Sequence, residues 1–165
     1  MSVCLAAPGP GRIYFGTEPG ISRESKNIDL IRREALQHSH RIASSLWRES
    51  LKGKVLDVYE ECSVIGWDGY DAIPISVESF LGTLEILEQL PNNILPPDVV
   101  PEPTGEIALE WRVRNELLFS LTVSGRTLVY AGIFGGSSRQ HGEEQFFDLV
   151  PKTISDLLAR YFFKS

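Results

Sequence analysis

Apolar side chains recur along the chain with a helical period before residue 90 and with an alternating period after residue 106. The first helical stripe predicts a helix of about 20 residues. Its members are Ile28, Ile31, Ala35, Ile42 and Leu46. Gly53 indicates a break, after which a second, shorter stripe comprises Val55, Val58, Cys62 and Ile65. We therefore expect two helices in this part, each buried along its stripe.

A third helix is predicted between Pro74 and Pro91. Ser76 is a good N-cap, and Glu78 lies in the first turn, where the helix dipole favours an acidic residue. The apolar residues expected on its buried side are Val77, Phe80, Leu81, Leu84 and Leu87. Residues 91–105 contain five of the ten prolines, which predicts an ordered, extended crossing rather than a helix.

The alternating period predicts three consecutive strands. Residues 107–113 alternate apolar and polar side chains, and residues 117–123 do the same. A tight turn at Ser124 and Gly125 leads into residues 126–134, which are apolar on both faces and so are expected to be more covered than the neighbouring strands. The connections are too short for parallel crossovers, so we expect an antiparallel meander.

The remainder of the chain predicts a loop and a final helix. Residues 135–145 are rich in glycine and polar residues and are predicted to form a flexible loop. Pro151 opens the helix, whose core face comprises Ile154, Leu157, Leu158, Tyr161 and Phe162. The predicted fold class is α+β, with N-terminal helices, a three-stranded antiparallel meander and a C-terminal helix packed on one sheet face. Residues 1–22 are expected to form an extended N-terminal arm and residues 23–165 a single domain.

Composition limits the class of protein. The chain has 165 residues and a net charge of −6, with ordinary globular usage of apolar and charged residues. No apolar run approaches the roughly 20 residues that span a bilayer. Two distant cysteines without metal-type spacing suit a reducing compartment. These features predict an acidic cytoplasmic protein that does not enter a membrane.

Charge is distributed unevenly along the chain. Residues 23–54 carry eight basic and four acidic side chains, whereas residues 55–165 carry seven basic and seventeen acidic ones. One interpretation is a basic helix lying against an acidic body, or two solvated faces. The other is a polarised surface that binds nucleic acid through the basic helix or a basic protein through the acidic body. Four excess positive charges are few for nucleic acid, so we expect no nucleic-acid partner.

The sequence lacks the residue groupings of common catalytic sites. It contains no G-x-S-x-G elbow and no phosphate-binding G-x-x-x-x-G-K motif. The three histidines are His38, His40 and His141, and none has metal-type spacing. We therefore predict no catalytic residue, no metal site and no cofactor.

Clustered carboxylates are the remaining candidates for a metal-binding or catalytic site. If residues 66–74 pack beside the first strand, five acidic side chains can converge, and such a cluster can hold Mg²⁺ or Ca²⁺ through oxygen ligands. They are Asp68, Asp71, Glu102, Glu106 and Glu110. Glu106 and Glu110 also fit the ordinary solvent side of a strand. A carboxylate-centred metal-binding or ligand-binding protein, or an enzyme, is therefore the alternative hypothesis.

The most distinctive stretch is GWDGYDAIP, residues 66–74, which we call the corner. An aspartate before a glycine is typical of a turn, so Asp68 and Asp71 are predicted to cap the local backbone. Trp67 and Tyr70 are predicted to anchor the turn to the core. We favour the structural interpretation of the corner, with a binding site as the alternative. The binding candidates are Trp67, Asp68, Tyr70, Asp71, Glu106 and Glu110.

Three motifs resemble a family of short bacterial proteins of uncharacterised function. The family pattern W-D-G-Y-G-A-x-P matches residues 67–74, with Asp71 where the family often has glycine. The pattern P-x-G-E-I-x-L-E-W matches residues 103–111, and Y-A-G matches residues 130–132. The resemblance covers roughly residues 55–160. It implies a shared fold and a bacterial or phage origin, but no activity.

Taken together, these features favour a non-enzymatic protein-interaction module. We expect a small accessory or regulatory subunit, of the immunity or antitoxin kind by analogy, that binds a larger protein. The surfaces available for this are an edge strand, the acidic surface and the N-terminal arm.

Overall fold

Three helices and five strands make up the part of the chain described by a computed structural model, residues 23–114, 117–136 and 138–164. The helices are α1 (Arg23–Glu61), α2 (Val77–Gln89) and α3 (Lys152–Tyr161). The strands are β1 (Asp98–Pro101), β2 (Ile107–Val113), β3 (Leu117–Ser124), β4 (Thr127–Phe134) and β5 (Arg139–Gln145). The predicted N-terminal arm, residues 1–22, lies outside the described residues.

The sheet is antiparallel and follows chain order, β1-β2-β3-β4-β5. The α+β class is therefore confirmed, but the predicted three-stranded meander is wrong, because the sheet has five strands. β1 comes from the proline-rich crossing, where the four residues Asp98–Pro101 pair with Ile107–Glu110 of β2. β5 comes from the predicted flexible loop and pairs along its length with β4.

Both missed strands lie at the edges of the sheet, which explains why their sequences lack alternation. β5 is polar, and most of its residues are exposed, so backbone pairing to β4 defines it rather than the burial of one face. β1 ends at Pro101, and an edge strand tolerates proline because one side of its backbone needs no partner.

One face of the sheet forms the core, and the helices cover it. Trp111 of β2, Phe119 of β3 and Phe134 of β4 are buried on this face. Phe162, directly after α3, contacts all three, with ring-centroid distances of 6.2–6.4 Å. α3 buries the predicted residues Ile154, Leu157 and Leu158, so its position on one sheet face is as expected.

The two helices predicted on either side of Gly53 are one continuous helix, α1. A glycine in a helix interior costs about 1 kcal/mol relative to alanine, which burial of Leu51 and Val55 nearby can offset. The stripe predicted to be buried is instead exposed at Ile28, Ile31, Ala35, Ile42 and Leu46. The helical spacing of these apolar residues predicts a helix, but it does not predict whether another element packs on the apolar face.

The chain divides into two units between Leu36 and Gln37. In the first unit, the described residues 23–36 are helical. The second contains the rest of α1 and all remaining elements.

α1 is joined to α2 by basic side chains. The Nε of Arg48 donates to the Leu87 carbonyl (3.1 Å), and its guanidinium also donates to the Leu90 carbonyl. These carbonyls belong to the end of α2, which has no basic residue in its own last turn, so Arg48 supplies the positive charge that a helix C-terminus favours. Lys52 pairs with Glu49 of α1 and Glu88 of α2, and both hydrogen bonds raise the pKa of Lys52.

α2 turns a face of small residues to the sheet. Ser76 caps the helix as predicted, since its Oγ accepts a hydrogen bond from the Ser79 N–H (3.1 Å). The buried residues are Ser79, Gly82, Thr83, Ile86 and Leu87, whereas the predicted core residues Val77 and Leu81 are exposed. A Cβ on Gly82 would lie 2.9 Å from the Gly125 carbonyl oxygen, so close approach of the helix to the β3–β4 turn selects this face.

The face of β4 that points away from the helices is not covered by the described residues. Val129, Ala131 and Ile133 are exposed there. The expectation that this strand is more covered than its neighbours is therefore wrong, because three of its residues are exposed whereas β3 has one exposed residue. The apolar residues on this outer face form part of an open groove, which is described below.

Candidate functional site

The corner links the end of α1 to α2, and Trp67 holds it to the rest of the molecule. The indole Nε1 of Trp67 donates to the Ile73 carbonyl (3.0 Å), so the ring spans the loop. The half-buried ring packs against the hydrophobic core. Trp67 therefore acts as the anchor predicted from the sequence.

Asp68 fixes the loop from inside. Its Oδ1 accepts hydrogen bonds from the Tyr70 N–H (2.9 Å) and from the Ala72 N–H (3.3 Å), as predicted for a turn-capping aspartate. The Gly66 N–H donates to the Ala72 carbonyl (2.7 Å), which closes the loop at its base. Gly66 and Gly69 have φ of 74° and 85°, values that side-chain-bearing residues rarely adopt.

The far side of the corner docks on the turn between β1 and β2. The Ile73 N–H donates to the Pro103 carbonyl (2.9 Å), and the Ser76 N–H donates to the Gly105 carbonyl (2.9 Å). A Cβ on Gly105 would lie 2.9 Å from the Pro74 carbonyl oxygen. The corner thus packs beside the first strands of the sheet and has a defined conformation.

The rigid corner presents large apolar side chains to solvent. Tyr70 is 86% exposed and Ile65 is 79% exposed, and Val64 and Ile73 are exposed as well. We call these four residues together with Asp71 the corner surface. The prediction that Tyr70 anchors the turn is wrong, because Trp67 alone supplies that contact and Tyr70 points away from the core. Ile65 was predicted to lie on the buried stripe of a helix, but α1 ends at Glu61, so Ile65 lies outside the helix.

The corner lies in a strongly acidic part of the chain. Between Lys54 and Arg112 the sequence contains twelve acidic residues and no Lys, Arg or His. Within the corner, Asp68 is engaged with backbone N–H groups, whereas Asp71 is exposed. The corner surface therefore combines exposed apolar groups with a negative charge.

The carboxylates proposed to converge do not form a metal site in the described part of the chain. Across residues 23–114, 117–136 and 138–164, no group of three or more His, Cys, Asp or Glu is placed to hold a metal ion. Glu106 accepts a hydrogen bond from the Ser124 hydroxyl (3.3 Å). The Oε2 of Glu110 lies 3.8 Å from the Nη2 of Arg112. These two candidates therefore have partners on neighbouring strand positions rather than a shared ligand.

The thiol of Cys62 lies beneath the corner and is buried. Its carbonyl accepts a hydrogen bond from the Ile75 N–H (3.0 Å), which ties the chain before the corner to the chain after it. Burial raises the pKa of the Cys62 thiol, and the nearby Glu61 carboxylate raises it further. A buried thiol of raised pKa is a poor nucleophile, so Cys62 has a structural role here.

A second surface feature is a groove of about 560 Å³ on the outer face of β3, β4 and β5. Its lining combines aliphatic residues of β3 and β4 with polar residues of β5. These residues are Leu118, Ser120, Ala131, Gly132, Ile133, Arg139, Gln140 and His141. The groove was not predicted, because residues 135–145 were expected to form a loop. The apolar residues on the outer face of β4 are the feature of the sequence that could have indicated it.

Comparison with known proteins found no family model, no curated protein and no solved structure that matches the chain. The family resemblance inferred from the three motifs remains a prediction. Among the described helices, none has the length and apolar character needed to cross a membrane.

Proposed function

We propose that this protein is an interaction module that binds a larger protein through the corner surface, as a small accessory or regulatory subunit. The observation that supports the proposal is the exposure of Tyr70 on a loop whose backbone is fixed by internal hydrogen bonds. Tyrosine is enriched among residues that dominate binding energy at protein interfaces. A loop that is already ordered loses little conformational entropy on binding.

The chemistry of the corner surface specifies the kind of partner. Exposed Val64, Ile65, Tyr70 and Ile73 require an apolar pocket or groove on the partner. Asp71 and the excess of acidic residues between Lys54 and Arg112 favour basic groups around that pocket. The proposal keeps the cytoplasmic location predicted from the cysteine content, together with the expectation that the protein is not an enzyme.

Site-directed photo-crosslinking tests the proposal in cells of the organism that encodes the protein. A photoreactive amino acid replaces Tyr70 in one variant and Val129, an exposed residue on the outer sheet face, in a control variant. We expect a specific crosslinked product from position 70 and none of the same mass from position 129. A product from position 129 alone, or no product from position 70, would overturn the assignment of the corner as the binding surface.

A further inference from the structure

The last strand of the sheet, β5, has a free edge. The sheet order ends with β5, and its seven residues pair with β4 on one side. An edge strand presents unpaired N–H and C=O groups that can pair with another strand. No described residue of the chain pairs with the outer side of β5.

The hydrogen bonds at both ends of β5 show which residues face this edge. The Phe134 N–H donates to the Ser138 carbonyl (2.8 Å), and the Phe146 N–H donates to the Arg126 carbonyl (2.7 Å). In an antiparallel pair the bonded positions alternate, so the even-numbered residues of β5 bond to β4. The odd-numbered residues direct their N–H and C=O groups to the free edge. They are Arg139, His141, Glu143 and Gln145.

The charges along β5 are complementary to those of a second copy running in the opposite direction. The first half of the strand carries the positive charge of Arg139, and the second half carries the negative charges of Glu143 and Glu144. Antiparallel pairing places the first half of one copy opposite the second half of the other. Charges on an edge strand usually discourage pairing, but here their order favours pairing of the strand with itself.

We propose that two copies of this chain associate through antiparallel pairing of β5 with β5, which joins their sheets into one continuous sheet. The register with full overlap has its two-fold axis at Gly142, the central residue of the strand. It places His141 opposite the partner's Glu143, and Arg139 opposite the partner's Gln145. All four odd-numbered residues of each strand then form hydrogen-bonded pairs, with about eight backbone hydrogen bonds in total.

This register is favoured over the neighbouring one because it forms more hydrogen-bonded pairs. A two-fold axis at His141 would set Arg139 opposite the partner's Glu143, but it would also place the two His141 side chains opposite each other and reduce the hydrogen-bonded pairs from four to three. With the axis at Gly142, opposite positions are occupied by glycine, which has no side chain to hinder approach. The proposal concerns a different surface from the corner and does not depend on the proposed function.

Charge reversal tests both the association and its register. The full chain and its variants are compared by sedimentation velocity from low to high micromolar concentration. We expect the wild-type chain to form a dimer, and Glu143→Lys or His141→Glu to weaken its Kd by about tenfold or more. His141→Glu sets two glutamates opposite each other twice, and Glu143→Lys places a lysine diagonal to the partner's Arg139 twice. The double variant His141→Glu/Glu143→Lys restores opposite charges in this register and is expected to recover the dimer.

Several results would overturn the proposal. They are a wild-type chain that stays monomeric throughout the concentration range, single variants that dimerise as the wild type does, and a double variant that remains monomeric although it folds. Far-UV circular dichroism and thermal midpoints establish folding. If a charge variant does not fold, His141→Pro takes its place, because it removes an N–H that faces the free edge and no bond to β4. A folded His141→Pro variant that still dimerises would also refute the proposal.

Discussion

The hydroxyl of Ser79 joins α2 to two strands, and its removal tests how the fold is held together. The Oγ of Ser79 donates to the Val123 carbonyl of β3 (2.6 Å) and accepts from the Ile107 N–H of β2 (2.8 Å). Ser79 is fully buried. In Ser79→Ala, both backbone groups lose this partner in a site that is closed to water.

The expected cost follows from those two groups. A buried donor or acceptor that loses its partner costs about 1–3 kcal/mol, so two such groups, with some relaxation of the strands, give about 3 kcal/mol. For a chain of this size that corresponds to a fall in Tm of about 6–12 °C. Urea unfolding followed by tryptophan fluorescence measures the free energy of unfolding directly.

Thr83→Val provides a matched control in the same helix. Thr83 is also fully buried, but its Oγ1 donates to the Ser79 carbonyl (2.8 Å) within α2 and does not reach the sheet. Valine keeps the shape of threonine, and the carbonyl keeps its helical position, so we expect a loss of about 1 kcal/mol. Equal losses for the two variants, or a loss below about 1 kcal/mol for Ser79→Ala, would refute the bridging role of Ser79.

Three further predictions concern the packing of helices, the core and the buried thiol. Arg48→Met should lower the free energy of unfolding by about 2 kcal/mol, because the hydrogen bonds from the charged guanidinium to the carbonyls at the end of α2 are lost. Lys52→Met is the control, and it should lower Tm less because the ion pairs of Lys52 are exposed. Gly132→Ala places a Cβ 2.5 Å from the Phe134 ring and should cost about 1–3 kcal/mol in the same urea assay; an unchanged midpoint would contradict the described packing. Cys62 should resist alkylation in the folded protein and react after unfolding. Folding raises the pKa of the Cys62 thiol, so the free energy of unfolding keeps its full contribution from the neutral thiol at neutral pH and falls as the pH rises above 9.0. Urea midpoints that do not fall above this pH would contradict the burial of the thiol.

β2, β3 and α3 could be predicted from the sequence because each buries a regular apolar face. β2 and β3 show clear alternation, and α3 has its core residues at helical spacing. β1 and β5 could not be found in this way, since an edge strand is specified by the strand that it pairs with and not by its own pattern. On α2, Leu87 is buried and Phe80 and Leu84 pack against the core as predicted. Val77 and Leu81 are exposed instead, because close approach to the sheet selects Ser79 and Gly82 for the buried face.

The corner was identified from its composition, but the roles of its residues were predicted in part. Trp67 and Asp68 have the expected contacts, because indole and carboxylate groups in a glycine-rich turn have few ways to satisfy their hydrogen bonds. The exposure of Tyr70 could not be predicted, since residues 67 and 70 are equally suited to anchoring and tertiary packing decides between them.

Binding kinetics with the partner isolated by crosslinking test whether the corner surface is the binding surface. Wild type, Tyr70→Ser and the control Val129→Ser are compared at low and high salt. We expect Tyr70→Ser to weaken the Kd by about tenfold or more, mainly through faster dissociation, while Val129→Ser binds as wild type does. Association of the wild type should slow at high salt, because the acidic corner attracts a basic partner. Equal affinities for Tyr70→Ser and wild type would contradict the assignment of the corner as the binding surface, and an association rate independent of salt would contradict its electrostatic basis.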